Sequence, residues 1–514
     1  MKTNITTFQL DKAESIQKIL AEFPHHTSKS YLGEIEFLDS FDWRLYHKNY
    51  SLYKSENSYE IHNILSKNIE ISTWNQQNAA FTSDFSDLQF QSFLSPILGI
   101  RALICFLKLD YETYSYNILD DNEKTVLRLK WEMFTSANKD FSSIFYLSLF
   151  PLRGYEETYN AFHKFLKQMD IAQKRKSPFL TILHDCKAKP GNYSSKFQLS
   201  LSTDMSAKQA MQLILANLLT TVNINIPCII QDIDSEFLHD FRVAIRRARS
   251  ALSQIKNVFS EQQTLELKAK LADLSRLSNE LRDLDVYLLK ESSYQNLLPL
   301  SLKNSILPLF RYLKEKREKA LLSFNSSIQS DTYQQILQAW KRSIEEPTDP
   351  GKNAGMAILT LAKQRIYSKY KRVIRDGMVI LENQEDQLLH DLRIECKKLR
   401  YLLEFFHSLF SQSKSSYLIK QLKKLQNNLG DFNDLDVQKT YLETIANDLP
   451  ANSIEEKNTL LAIGALLGAL EERQMTVKNK FAQTFTEFAA KPNKGLFQEL
   501  YSSKKSASTK KSKA

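Results

Sequence analysis

Glycine and proline are scarce in this chain, with 11 and 12 copies in 514 residues. No glycine falls between Leu201 and Pro350. So few chain-breakers argue against a turn-rich protein and for a helix-rich one. Cysteine is also rare: Cys105, Cys186, Cys228 and Cys396 lie far apart without C-x-x-C spacing. That excludes a disulfide framework and fits free thiols in a reducing cytosol. The start, Met1-Lys2-Thr3-Asn4-Ile5, lacks the apolar segment of a signal peptide. No run approaches the ~18 consecutive apolar residues that would span a bilayer. The expected location is therefore the cytoplasm, with no membrane partner.

Charge is unevenly placed. Residues 1–200 hold 23 basic and 23 acidic side chains, so the net +10 lies in residues 201–514. Five of those charges are lysines after Ser503, in a low-complexity tail (501–514) expected to be disordered. The remaining excess is modest, so its arrangement matters more than its total.

That arrangement is a repeat. His239-Asp240-Phe241-Arg242-Val243-Ala244-Ile245-Arg246-Arg247-Ala248-Arg249 returns 151 positions later as His390-Asp391-Leu392-Arg393-Ile394-Glu395-Cys396-Lys397-Lys398-Leu399-Arg400. On a helix, offsets 0, 3, 7 and 10 fall within an arc of roughly 80°. His239, Arg242, Arg246 and Arg249 therefore form one stripe. Leu238, Phe241, Ile245, Ala248, Leu252, Ile255 and Phe259 form an apolar arc beside it, and Leu389 to Phe410 repeat the plan. The same offset relates Asp283 and Asp285 to Asp434 and Asp436. Two similar halves, about 201–345 and 356–500, would carry two basic helices related by a pseudo-twofold axis. The break between them is Glu345–Gly355.

A solvated face is the ordinary reading of a basic stripe. Two copies in matched phase, each led by histidine and each adjoining an apolar arc, point instead to the edge of a groove. Neither histidine has a second histidine at helical ligand spacing, so a metal role is not expected. The paired aspartates are too few for a Mg²⁺ or Ca²⁺ site and suit capping or pairing with a basic helix. No catalytic residue and no cofactor are expected.

These motifs resemble the CHAD family, the conserved-histidine α-helical domain, over roughly Leu201 to Ala490. The carriers are the His239–Arg249 and His390–Arg400 runs, Arg282-Asp283-Leu284-Asp285-Val286, and Leu429-Gly430-Asp431-Phe432-Asn433-Asp434-Leu435-Asp436-Val437. The resemblance implies two helical bundles facing across a cationic channel, binding of inorganic polyphosphate, and association with polyphosphate granules. It implies His239, Arg242, Arg246, Arg247, Arg249, His390, Arg393, Lys397, Lys398 and Arg400 as the binding residues. Lys397 and Lys398 replace arginines. They keep the charge but lose the bidentate fork, so the second half would grip phosphate less rigidly.

Residues 1–200 read as α+β. Ile35–Leu38, Ser143–Phe150 and Phe179–Leu183 are aromatic or β-branched stretches, with helical patterns at Ala13–Phe23 and Glu156–Met169. Lys124, Arg128 and Lys130 alternate along a possible strand and so share a face. Phe37-Leu38-Asp39-Ser40-Phe41-Asp42-Trp43-Arg44-Leu45 resembles a segment of CYTH domains, the triphosphate tunnel fold. The carboxylates that hold metal in active members are missing from Asn4–Leu10 and Ile144–Phe150. The resemblance therefore implies a tunnel fold without its chemistry.

The fold class expected is mainly α: two pseudo-symmetric helical bundles preceded by a smaller α+β CYTH-like domain. The function expected is non-catalytic polyphosphate binding. A CYTH-type metal-dependent triphosphatase is one alternative. A nucleic-acid-binding module is another, less favoured because stacking aromatics are not interleaved with the cations.

Overall fold

The computed structural model describes residues 5–502, except 57, 67, 77, 137–140, 172, 175–176, 187–188, 192, 346–349, 384 and 449–452. The basic tail therefore lies outside the described residues, apart from its first two positions. The chain divides into two compact units, Met1–Ser195 and Lys196–Ala514.

In the first unit, the described residues form one antiparallel sheet. Its strands are β1 (Thr6–Leu10), β2 (His25–Asp39), β3 (Tyr50–Ser55), β4 (Ser58–Asn63), β5 (Ile69–Trp74), β6 (Ile104–Leu119), β7 (Thr125–Thr135), β8 (Ile144–Pro151) and β9 (Gln173–Lys174). They run in the order β5-β4-β3-β2-β6-β7-β8-β1-β9. Four helices accompany them: α1 (Ser15–Leu20), α2 (Leu88–Leu98), α3 (Glu156–Gln168) and α4 (Pro178–Asp185). β8 is buried on both faces from Ile144 to Leu149, which explains why its sequence is apolar without alternation.

Phe179–Leu183, read as a β-branched stretch beside the strands, is the body of α4. Proline opens that helix at its first turn, where its missing N–H costs nothing. Phe179, Ile182 and Leu183 then share a face and pack into a cluster with Phe37 and Tyr146. The helix expected over Ala13–Phe23 contracts to α1. Lys124 precedes β7, whereas Arg128 and Lys130 lie on it.

The second unit is helical. Its first half comprises α5 (Ala207–Ile230), α6 (Ser235–Gln254), α7 (Glu261–Leu277), α8 (Asn279–Leu288), α9 (Glu291–Leu297), α10 (Leu307–Ile328) and α11 (Asp331–Glu345). Its second half comprises α12 (Ile358–Glu382), α13 (Asp386–Phe405), α14 (Gln412–Asp448), α15 (Ile454–Asn479), α16 (Phe481–Ala489) and α17 (Lys491–Tyr501). The starts of α5, α6 and α7 recur 151 residues on as the starts of α12, α13 and α14. Ser206 and Ala357, related by the same offset, form an antiparallel bridge with each other. Equivalent residues that touch must lie near the pseudo-twofold axis. The architecture is the expected one: an α+β domain followed by paired helical bundles.

The basic helices are built as their sequence dictates. Asp234 caps α6 by accepting from the Glu236 and Phe237 amides. Phe237, Phe241, Ala244, Ile245, Ala248 and Leu252 are buried along one face. Leu389, Leu392, Cys396, Leu399 and Leu403 do the same on α13. Both helices stop earlier than the apolar arc suggests. Ile255 and Phe406 are C-caps, and Phe259 lies beyond α6, yet all three remain buried.

Two differences separate the halves. The first is a break between α7 and α8 at Ser278, where α14 runs unbroken through Leu429 and Gly430. The second is α5, whose 18-residue window of mean hydropathy 1.8 makes it long and apolar enough to cross a membrane. The expectation that no run of consecutive apolar residues approaches ~18 still holds, and only the average over the window singles this helix out. Gln212, Asn217, Thr220, Thr221, Asn223 and Asn225 interrupt the run, which is why it escapes a count of consecutive apolar residues. Met211, Ile214, Leu215, Leu218, Val222 and Ile229 bury one face of α5 in the bundle.

Candidate phosphate-binding groove

α6 and α13 pack against each other, and their basic stripes meet at that contact. Arg246 of α6 donates from Nε to the Tyr401 hydroxyl of α13 at 2.9 Å. The Arg246 guanidinium also bears on Arg393 and Lys397 across the junction and disfavours their charged forms. Burial lowers the Arg393 pKa first, and Arg246 adds to it. Lys397 is pushed down to about 8, first by burial and then by Arg393, Arg246 and Arg400, with only Asp434 opposing. Cations from both halves therefore crowd one place, and the lysine among them holds its proton weakly.

Arg242 and Arg393 are each held by the helix opposite, whereas Arg400 pairs with Glu404 of its own helix. Arg242 donates from Nη1 to the Ser275 carbonyl (3.2 Å), Ser278 Oγ (2.8 Å) and Asn279 Oδ1 (2.7 Å). The break at Ser278 supplies these acceptors. The unbroken α14 offers no such break, and Arg393 instead bonds the Asp434 carboxylate at 3.0 Å. Asp283, the equivalent of Asp434, acts electrostatically on Arg242. Burial raises the Asp283 pKa, against Arg242 and Arg282. Asp285 is held by Arg317 of α10 at 2.7 Å, and Asp436 accepts from Gln474 at 3.3 Å. Asp285, Asp434 and Asp436 thus have pairing or hydrogen-bonding roles, and Asp283 acts through its charge. Among the described residues no three His, Cys, Asp or Glu side chains gather as a metal set.

The histidines have equivalent positions and opposite hydrogen bonding. Arg282 of α8 donates from Nη2 to His239 Nδ1 at 3.1 Å. Guanidinium only donates, so His239 Nδ1 is the acceptor and its proton sits on Nε2. Asn433, which replaces Arg282 in the second half, presents Oδ1 to His390 Nδ1 at 2.7 Å. His390 therefore donates through Nδ1.

The sequence-predicted residues divide into two faces. His239, Arg242, Arg246, His390, Arg393, Lys397 and Arg400 lie on the two stripes at the α6–α13 junction, and the exposed Arg249 lies on the same stripe toward the end of α6. Arg247 and Lys398, at offset eight, point elsewhere on their helices. Arg247 pairs with Glu404 at 3.0 Å, and Lys398 with Glu395 at 2.7 Å. Arg282, Tyr401 and Asn433 are groove residues that the stripe pattern did not reveal. Arg282 and Asn433 stand at the same distance, 43 positions, after their histidines, and that regularity is the signal that finds them.

The first unit has a pocket of its own, about 400 Å³, lined among others by Lys29, Tyr53, Glu60, Trp74, Tyr111 and Lys130. Three of its four charged side chains, Lys29, Glu60 and Lys130, have partners. Lys130 pairs with Glu132 at 2.9 Å, Glu60 with His62 at 2.9 Å, and Lys29 lies 5.3 Å from the Trp74 ring centre. On the neighbouring strands, Lys54 pairs with Glu36 at 2.8 Å.

Residues 213–443 match the family model described as the CHAD domain. No curated protein matches the chain. Solved structures do. The CHAD domain from the plant Ricinus communis is 24% identical, covering 57% of this chain and 97% of its own, with a TM-score of 0.48. PptA from Streptomyces chartreusis is 15% identical, covering 55% and 99%, with a TM-score of 0.44. HpAC1 from Hippeastrum, described as having a dominant triphosphatase activity, is 12% identical, covering 37% and 99%, with a TM-score of 0.27. The stretch that matches the CHAD domain family, residues 213–443, contains both histidine motifs and both aspartate motifs.

Proposed function

We propose that the groove between α6 and α13 binds inorganic polyphosphate without cleaving it and holds the protein at polyphosphate granules in the cytoplasm. The observation that carries this reading is the gathering of Arg246, Arg393, Lys397 and Arg400 from two helices, with Lys397 pushed down to about 8. Asp434 and Glu404 offset part of this charge, and an entering anion would offset the remainder. A flexible chain with about one negative charge per phosphate suits it. Arginine forks would hold successive oxygens, and lysine would add charge without a fixed direction. Arg242 and Arg393 are fixed by their partners, so little ordering is needed on binding. The metal-dependent alternative requires several oxygen ligands around one ion. In the first unit Glu36, Glu60 and Glu132 are each bonded to a basic side chain instead.

The test is a salt series of polyphosphate titrations on the full chain and on Arg246→Gln/Arg393→Gln. Affinity should fall log-linearly with salt, as counterions are displaced. The double variant should bind at least about tenfold more weakly with a shallower salt dependence. Unchanged affinity in a folded double variant would sink the reading.

A further inference from the structure

The pseudo-twofold repeat predicts that α12 should look like α5. It does not. Arg365, Lys369, Lys371, Arg372 and Arg375 of α12 stand where α5 has Ile214, Leu218, Thr220, Thr221 and Ile224. In the first half, Ile214 and Leu218 are core residues. In the second half the equivalent positions open onto a pocket of about 510 Å³. Ser368 of α12, Gln254 and Lys256 at the end of α6, and Leu402 of α13 complete its wall.

This pocket is separate from the groove. On α13, Glu395, Lys398 and Leu402 fall at roughly 80–140° around the helix when His390 is set to zero. The stripe of Arg393, Lys397 and Arg400 falls at roughly 280–340°. The two lie on opposing faces of one helix. The counterpart surface in the first half is covered: Phe197 packs on Phe405, the equivalent of Gln254, with ring centres 5.2 Å apart. Leu201 of the same segment donates to Ser408 Oγ at 2.9 Å.

The pocket's charge is not balanced by its surroundings. Six cations line it and no carboxylate does. Glu395, behind it, bonds Lys369 at 2.6 Å and lies 3.4 Å from Arg372. Asp376 pairs with Arg372 and Arg375. Arg365 Nε is buried with no hydrogen-bond partner, and Lys256 and Lys371 add unopposed charge at the rim. A single carboxylate would leave most of this charge unmatched. A small anion of high charge density, with oxygens radiating in several directions, would match it.

We infer that the pocket between α12, α13 and the end of α6 is a second, single-copy binding site for a compact oligophosphate. It does not depend on the groove binding polyphosphate. One chain therefore has a symmetric groove suited to a long polyanion and an asymmetric pocket suited to a short one.

Tripolyphosphate titrated calorimetrically into the full-length protein tests this. Arg365→Gln/Arg372→Gln should lose one binding equivalent, or weaken it at least tenfold, with thermal unfolding checked alongside. Arg246→Gln/Arg393→Gln should retain that equivalent, which separates failure of the groove reading from failure of this one. Lys371→Glu/Arg375→Glu changes only exposed side chains and should weaken the same equivalent. If both pocket variants bind tripolyphosphate with wild-type stoichiometry and affinity, the inference is overturned. It is also overturned if sucrose octasulfate fills the pocket as tightly as tripolyphosphate, since the site would then select charge rather than phosphate.

Discussion

Arg246 reaches from the first half of the helical domain to the Tyr401 hydroxyl of the second, 2.9 Å away. The bond has no symmetric twin, because the equivalent positions are Lys397 and Ser250. It directs one guanidinium along the groove while Lys397 is left among like charges. Tyr401 is buried, with Arg400 over its ring. Tyr401→Phe keeps that packing and removes only the acceptor. The expected loss is about 1 kcal/mol of stability, read as a small fall in denaturant midpoint at unchanged slope. Polyphosphate affinity should change less than in Arg246→Gln, because the charge remains.

The histidines should differ spectroscopically. His239 accepts at Nδ1 from Arg282, and His390 donates from Nδ1 to Asn433. Nitrogen NMR of ring-labelled protein, in the neutral imidazole range, should find the proton on Nε2 in His239 and on Nδ1 in His390. Arg282→Asn would make the first half resemble the second and should move His239 toward the His390 pattern. Identical tautomers in the wild type would contradict the geometry.

Much of this site was legible because a repeat is a strong signal. The offsets within His239–Arg249 and His390–Arg400 set the phase of each stripe relative to its apolar arc, and α6 and α13 keep that phase. What a single helix cannot reveal is which side chains reach it from another. Arg282, Tyr401 and Asn433 depend on the crossing of α6, α8, α13 and α14. Arg247 and Lys398 look like stripe members by charge alone, but one position beyond Arg246 or Lys397 turns a side chain by about 100°. The α12 pocket escaped for the opposite reason. A repeat exposes what both copies keep, and these cations are what one copy adds. In the first unit, Phe179–Leu183 is too short for its period to separate strand from helix. Pro178 and burial against the sheet decide it.

Gly377 of α12, on the face packed against Phe485 of α16, is a stability test. A Cβ there would lie 2.6 Å from Phe485 Cδ2 and closer still to the ring edge. Phe485 is fully buried and stacks on Phe481, so it has little room to move. Gly→Ala in an open helix gains up to about 1 kcal/mol. Here overpacking should win, with a net cost of about 1–3 kcal/mol. A thermal melt of Gly377→Ala with a lower midpoint supports the contact. Gly464→Ala in α15, where an added Cβ meets nothing within 4 Å, is the control and should not destabilise.

Lys397 gives the groove a pH dependence whose sign is fixed. Its pKa is lowered from 10.5 to about 8 in the folded, ligand-free protein. Below about pH 8 the lysine is charged both folded and unfolded, so the full penalty of burial and of crowding by like charges opposes folding. The penalty fades between about pH 8 and 10.5, where the folded protein releases the proton first. Lys397→Met should therefore stabilise the free protein at pH 7, by an amount that shrinks as pH rises through this window. A polyanion reverses the balance by favouring the charged form. Polyphosphate binding should take up a proton near pH 8, and affinity should fall between pH 7 and 9. Calorimetry in two buffers of different ionisation enthalpy measures that uptake directly. Lys397→Arg keeps the charge across the range and should flatten the profile while retaining binding at pH 7. Equal proton uptake by wild type and Lys397→Arg would assign the titration to another group.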